Sequence, residues 1–326
     1  YKNFNLEFEY FDWGCEYYLK HDKMMPENGL EILKKYDAIY LGAVGSPGVP
    51  DHVSLWGLLL PIRRTFQQYV NFRPVKLFDG IRSPLVGLKP GDIDIVIIRE
   101  NNEGEYSNMG GRIYEKTDRE IVVQESIFTR FGVERIIKYA FEYAKNNNRK
   151  KVTAATKSNG ISITMPFWDE IFLEVGEKYP DIQKDKFHID ALVAKFVTNP
   201  KYFDVVVGSN LFGDILSDLG PAIVGSLGIA ASANINPSKE FPSMFEPVHG
   251  SAPDIAGKNI ANPIGQIWSG ALMLKHLGLF DGAKNIEDAI KKTIKDGILT
   301  PDLCGKYSTI DVVDHICDNV KLKNFN

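Results

Sequence analysis

The chain has 326 residues, 44% hydrophobic and 25% charged, enough to bury one large core or two smaller ones, so two domains are expected. A formal net charge of −4, with no basic run longer than Arg149-Lys150-Lys151, gives no cationic field for nucleic acid. No apolar stretch reaches the roughly 18 residues of a membrane span, Tyr1-Lys2-Asn3-Phe4 is no signal-peptide opening, and three scattered cysteines make no disulfide framework, so a reducing, cytoplasmic setting without a membrane partner is expected.

In chain order, Leu6-Glu7-Phe8-Glu9-Tyr10-Phe11 alternates with period two and predicts a strand; since the chain opens inside it without Met, an N-terminal piece is expected to be missing. Short apolar runs follow at Ala38–Leu41, Ile93–Ile98, Val152–Ala155 and Val205–Val207, separated by helical periods at Gly132–Lys145 and Met165–Lys178. That alternation predicts an α/β fold with a largely parallel or mixed sheet. Gly111–Tyr114 and Glu120–Gln124 read instead as two antiparallel strands of an inserted arm, a feature that often makes a subunit contact. After a segment rich in Gly, Pro, Ala and Ser at 220–245 the chain returns to helices at Ile264–Leu277 and Ile286–Lys295. It is expected to leave one domain, 1–68 and 228–326, build a second over 69–227, and come back.

The strongest chemical signal is Asn210-Leu211-Phe212-Gly213-Asp214-Ile215-Leu216-Ser217-Asp218. Asp214 and Asp218 share a helix face, where like charges repel by roughly 0.2–0.5 kcal/mol, so a cation is expected there. An Asp-x3-Asp pair alone is more often a solvated face; here the neighbours are Phe, Ile and Leu. Hard carboxylate oxygens suit Mg²⁺ or Mn²⁺, and Asp190, after another strand-like run, is a candidate third ligand. Arg63, in an apparent helix, Arg73 and Arg99 stand at element ends, where guanidinium groups make bidentate clamps for carboxylates. Tyr106 and Lys157 each follow a strand and are candidate proton donor and acceptor, although either alone is more often structural. No G-x-G-x-x-G occurs, so this is not a Rossmann fingerprint. The run Phe245-Glu246-Pro247-Val248-His249-Gly250-Ser251-Ala252-Pro253-Asp254 is a candidate nucleotide loop: its small residues let the backbone approach a pyrophosphate, His249 can meet adenosine, and Asp254 can accept ribose hydroxyls while repelling a 2′-phosphate.

Asn210–Asp218, Phe245–Asp254 and Ile260-Ala261-Asn262-Pro263 resemble the signatures of the isocitrate and isopropylmalate dehydrogenase family of β-decarboxylating dehydrogenases, with matching spacings from Arg63 to Arg73, Arg99 to Tyr106 and Asp190 to Asp214. Trp13–Tyr18, Ser54–Leu59, Ala155–Gly160 and Ser209–Pro221 resemble its tartrate/D-malate dehydrogenase branch, and the similarity runs essentially the length of the chain. The resemblance implies the two-domain isopropylmalate dehydrogenase-like fold with its antiparallel dimer arm. It implies that Arg63, Arg73 and Arg99 hold the carboxylates of a small dicarboxylate, that Asp190, Asp214 and Asp218 hold Mg²⁺ or Mn²⁺, and that Lys157 and Tyr106 move protons as NAD takes the hydride and CO2 leaves. Asn159, Glu246, His249, Gly250, Ser251, Ala252, Asp254 and Asn262 would line the NAD site, with K⁺ a further candidate cofactor. Lys157 and Asp190 would serve the neighbouring subunit's site, which implies a homodimer.

Trp56, Gly57 and Leu59 precede Arg63, and Trp56 is available to fill the space a larger substituent would need, so a malate- or tartrate-sized substrate is expected. An isopropylmalate-type activity stays open, because one methylene is worth only about 1–3 kcal/mol of discrimination. So does a non-catalytic paralogue, although such a chain should have lost one of Lys157, Tyr106 or the aspartates. The family opens on a strand and a Gly-Asp-Gly-Ile-Gly loop on the nicotinamide side; this sequence does not contain that βα unit, and weakened cofactor binding is the expectation.

Overall fold

Aliphatic runs too short for helices and apolar on both faces form strands that need cover on both sides. The computed structural model, which describes the backbone of residues 5–322 and the side chains of 5–320, places them as β1 Ala38–Tyr40, β2 Val70–Lys76, β3 Asp94–Glu100, β4 Gly110–Ile113, β5 Ile121–Gln124, β6 Lys151–Thr156, β7 Gln183–His188, β8 Val205–Gly208, β9 Ala231–Ile235 and β10 Ser243–Pro247. The helices are α1 Cys15–His21, α2 Gly29–Leu33, α3 Asp51–Ser54, α4 Leu60–Thr65, α5 Arg130–Asn146, α6 Thr164–Gly176, α7 Ile189–Thr198, α8 Asn210–Val224, α9 Ile264–His276, α10 Phe280–Lys295 and α11 Thr309–Leu322.

The chain divides into two compact units. The first holds the chain up to Gln68, then Arg73–Asp94, and everything from Gly220 on. Here β1 pairs parallel with β10, and β10 antiparallel with β9. α9 packs on both β9 and β10 and against α10, which in turn meets α11. A cluster of Cys15, Met24, Leu33, Ile39, Val49, Leu58, Ile62, Phe66 and Met244 forms one core. One π turn, Leu55–Leu59, joins α3 to α4. The sequence division had put 73–94 and 220–227 with the second domain. By contacts they group with the first unit, where Val75 lies under Gly220, Ile81 under Gly225, and the Ser83 hydroxyl donates to the Ile223 carbonyl at 2.7 Å.

The second unit holds 69–72 and Ile95–Leu219. Its strands run in the order β3-β8-β6-β7, all parallel. β3 is buried from Ile95 onward, as expected of a strand covered on both faces. α5 buries Val133, Ile136, Ile137, Ala140, Phe141 and Ala144, the stripe of a helix packed along one side, and lies against α6. The Thr129 hydroxyl caps α5 by accepting from the Gly132 N–H at 2.9 Å. β4 and β5 form the separate antiparallel ribbon expected of the arm, with all eight residues exposed.

Leu6–Phe11 is not a strand. Alternation makes a strand only where a neighbour takes the backbone hydrogen bonds; here Phe8 and Tyr10 are exposed, and the segment is held through Phe11, which packs on Trp13 and Tyr36. The Phe245–Asp254 run is also less of a loop than the sequence suggests, because Phe245, Glu246 and Pro247 belong to β10.

Candidate active site

Parallel α/β sheets bind ligands beyond the carboxyl ends of their strands, and in the second unit the candidate residues stand there. Arg99 is the penultimate residue of β3, Lys157 follows β6, Asp190 lies in the first turn of α7 directly after β7, and Asp214 lies in α8 just past β8. Adjacent β3 and β8 bring Arg99 to α8. Gly213 makes that approach possible, since a Cβ there would lie 2.5 Å from the Arg99 Cβ.

Arg99 is buried, with a side chain only 3% exposed. Its Nε and Nη2 donate to Asn210 Oδ1 at 3.0 and 2.6 Å, and its Nη1 donates to Asp214 Oδ1. The Tyr106 hydroxyl donates to the other Asp214 oxygen at 2.6 Å, and the guanidinium lies 5.3 Å from the Tyr106 ring centre. Burial, then the hydrogen bond to the Asp214 carboxylate and its charge, push the Tyr106 hydroxyl up to about 12. It therefore keeps its proton at neutral pH. Asp218, one turn beyond Asp214, is exposed.

A second cluster pairs Lys157 Nζ with Asp190 Oδ1 at 2.7 Å. That hydrogen bond holds the Asp190 carboxyl below its usual range. Among the described residues no three His, Cys, Asp or Glu side chains converge as a metal site. Asp214 and Asp218 lie on α8, and Asp190 lies on α7. As hard oxygen donors four residues apart on one helix face, the two aspartates fit a divalent cation.

In the first unit Arg63 is buried, and its Nη2 donates to Glu246 Oε1 at 2.7 Å; that oxygen also accepts from Asn234 Nδ2 at 2.7 Å. A residue read as substrate-binding and one read as cofactor-binding are thus partners. Arg73 is buried in β2. Asn262 lies just before α9, accepting from the Ile264 N–H and donating to Asp302, both at 3.0 Å. His249 uses Nδ1 on the Gly250 carbonyl at 3.0 Å, and its buried Nε2 has no partner. An orphaned ring nitrogen beside Gly250, Ser251 and Ala252 fits an adenosine acceptor or donor. Asp254 and Asn159 are exposed.

Three glutamates, one ending β3 and two in the loop after it, escaped the sequence reading. Glu100 is fully buried and accepts from the Asn102 and Glu103 N–H groups at 2.8 and 3.1 Å; burial pushes its carboxyl up to about 7, against the pull of Arg135. Glu103 accepts from the Thr129 N–H and hydroxyl at 2.9 and 2.8 Å, holding the start of α5. Glu105 accepts from the Ser209 hydroxyl at 2.7 Å and the Leu211 N–H at 3.0 Å, at the N-terminus of α8. The available signal was the run Glu100-Asn101-Asn102-Glu103-Gly104-Glu105, too acidic for a connection unless something accepts its charges.

Comparison with known proteins agrees with this architecture. The family described as isocitrate/isopropylmalate dehydrogenase matches residues 1–316. The chain is 59% identical over 321 residues to the D-malate dehydrogenase [decarboxylating] of Escherichia coli strain K12, covering 96% of this chain and 89% of that one. It is 58% identical over 323 residues to the tartrate dehydrogenase/decarboxylase of Pseudomonas putida, covering 97% and 88%. The crystal structure of isocitrate dehydrogenase from Methylococcus capsulatus superposes with a TM-score of 0.86 at 37% identity, covering 94% of this chain and 88% of that one. No described helix is long and apolar enough to cross a membrane. With a matching profile over nearly its whole length, the α/β architecture and half-buried acid–arginine–tyrosine cluster to go with it, the chain belongs to the isocitrate/isopropylmalate dehydrogenase family of decarboxylating dehydrogenases.

Proposed function

We propose that this chain oxidises D-malate, and tartrate as an alternative substrate, at C2 with NAD and a divalent cation, and releases the β-carboxylate of D-malate as CO2. The observation that carries the reading is Asp214 held between Arg99 and the protonated Tyr106 hydroxyl, in a chain more than half identical to enzymes named for these substrates.

Arg99, with Arg63 and Arg73 as further carboxylate partners, binds and orients the diacid through planar guanidinium contacts. Asp214 and Asp218 would hold Mg²⁺ or Mn²⁺ together with Asp190 from a second copy of the chain, and Lys157 would come from that copy too. The cation, when bound, supplies Lewis acidity at the substrate oxygen. NAD, when bound, would supply the hydride acceptor; His249, with its unpartnered Nε2, and the small residues after it would support the cofactor, and exposed Asp254 would disfavour a 2′-phosphate. Lys157 takes the proton from the C2 hydroxyl as the hydride leaves. Tyr106, still protonated, donates to the carbon that CO2 has left.

The test is a panel of D-malate, L-malate, meso- and L-tartrate, isopropylmalate and isocitrate with NAD or NADP and Mn²⁺, read by absorbance of the reduced nicotinamide. D-malate with NAD should give the highest kcat/KM, and chelation should abolish turnover. A faster reaction with isopropylmalate overturns the size argument from Trp56, and a preference for NADP overturns the role of Asp254.

A further inference from the structure

Lys157 sits in a tight turn, closed by the Gly160 and Ile161 N–H groups on its own carbonyl, each at 2.9 Å. The strand ladder ends at Thr156, paired with His188, so side chains must fix the turn beyond it. The next residue, Ser158, donates its hydroxyl to Asp169 Oδ2 in α6 at 2.8 Å. Lys186 Nζ, from β7, donates to the same oxygen at 2.5 Å. Asp169 is 5% exposed, and its other oxygen is buried without a partner. A carboxylate placed so deep is costly and must be held by its donors.

These bonds tie together the ends of two neighbouring strands, β6 and β7. Ser158 belongs to the exit from β6, which carries Lys157; Lys186 belongs to β7, which leads through His188 to Asp190. The contact between Lys157 and Asp190 joins the same two exits nearer the surface. Asp169 therefore braces from beneath the pair that the proposed function assigns to a neighbouring site. A surface ion pair would need neither the burial nor the serine.

We propose that Asp169 is a positioning residue for Lys157, acting through the Ser158 hydroxyl. This rests on the reading of Lys157 as the proton acceptor. Small displacements of a catalytic group lower turnover more than binding. With D-malate, NAD and Mn²⁺, Ser158→Ala and Asp169→Asn should each lower kcat about tenfold, with KM for D-malate within about twofold. Because both act through one hydrogen bond, the double variant should fall no further than the worse single, and Ser158→Thr, which keeps the hydroxyl, should restore most of the loss. Ser158→Ala deletes one oxygen from a half-buried turn, so it reads the proposal even if Asp169→Asn does not fold.

An unchanged kcat in Ser158→Ala, losses that multiply in the double variant, or a raised KM at constant kcat would overturn the proposal. Lys157→Met separates the two ideas. If it is inactive while Ser158→Ala and Asp169→Asn turn over normally, only the positioning role fails; if it retains full kcat, the acceptor reading falls and this inference with it.

Discussion

Glu100 follows Arg99 in the last position of β3 and is buried with one oxygen on two backbone N–H groups and the other without a partner. Its carboxyl is raised from the ordinary 4.5 to about 7 by burial. A folded value above the unfolded one means that the folded state holds the extra proton. Any stabilisation from it is therefore complete below about pH 4.5 and is lost as pH rises to about 7. Glu100→Gln keeps an acceptor for the two N–H groups and cannot ionise. Relative to wild type it should gain stability between pH 5 and 7.5, by roughly 1–3 kcal/mol at the upper end. Urea unfolding at several pH values measures this, and a constant difference between the two proteins would show that Glu100 does not titrate there.

The elements carry a second argument. α8 presents Asp214 and Asp218, and its first turn is held from outside the helix, by Glu105 on the Ser209 hydroxyl and the Leu211 N–H. A carboxylate at a helix N-terminus satisfies open donors and opposes the helix dipole. Glu105→Ala should destabilise the protein by about 1–2 kcal/mol, seen as a lower urea midpoint at an unchanged slope. An unchanged midpoint would mean that Ser209, which also faces the Phe212 N–H at 3.4 Å, caps the helix alone. Glu105 also adjoins Tyr106, so kcat should fall in the same variant. The π turn at Leu55–Leu59 stands in a similar relation to Arg63: it shifts the helix register just before the buried arginine, with Trp56 under the Arg64 guanidinium at 5.0 Å.

For the whole molecule the decisive proposal is that each active site draws on two chains. The exposed ribbon of β4 and β5, with Ile113, Ile121, Val122 and Val123 outward, is the expected clasp between them. Lys157→Met and Asp214→Asn should each be inactive alone. Co-expressed, they should form mixed dimers in which one site has both residues intact. Random assortment then gives roughly a quarter of wild-type activity per dimer. No recovery in the mixture, with mixed dimers present by mass, would mean that Lys157 and Asp214 serve the same chain's site.

Local patterns settled much of this protein in advance. Five apolar residues among six before Arg99 announced a buried strand with a charge at its end, and the apolar spacing around Asp-x3-Asp announced a helix with two carboxylates on one face. Strand and helix follow from neighbours a few residues apart, so side-chain periodicity reveals them. The ion pair of Arg99 with Asp214 spans 115 residues and that of Arg63 with Glu246 spans 183. These, the braces from Glu105 and Asp169, and the failure of Leu6–Phe11 to form a strand were decided by tertiary structure, because hydrogen-bond partners depend on which strands lie side by side, and no local pattern encodes that order.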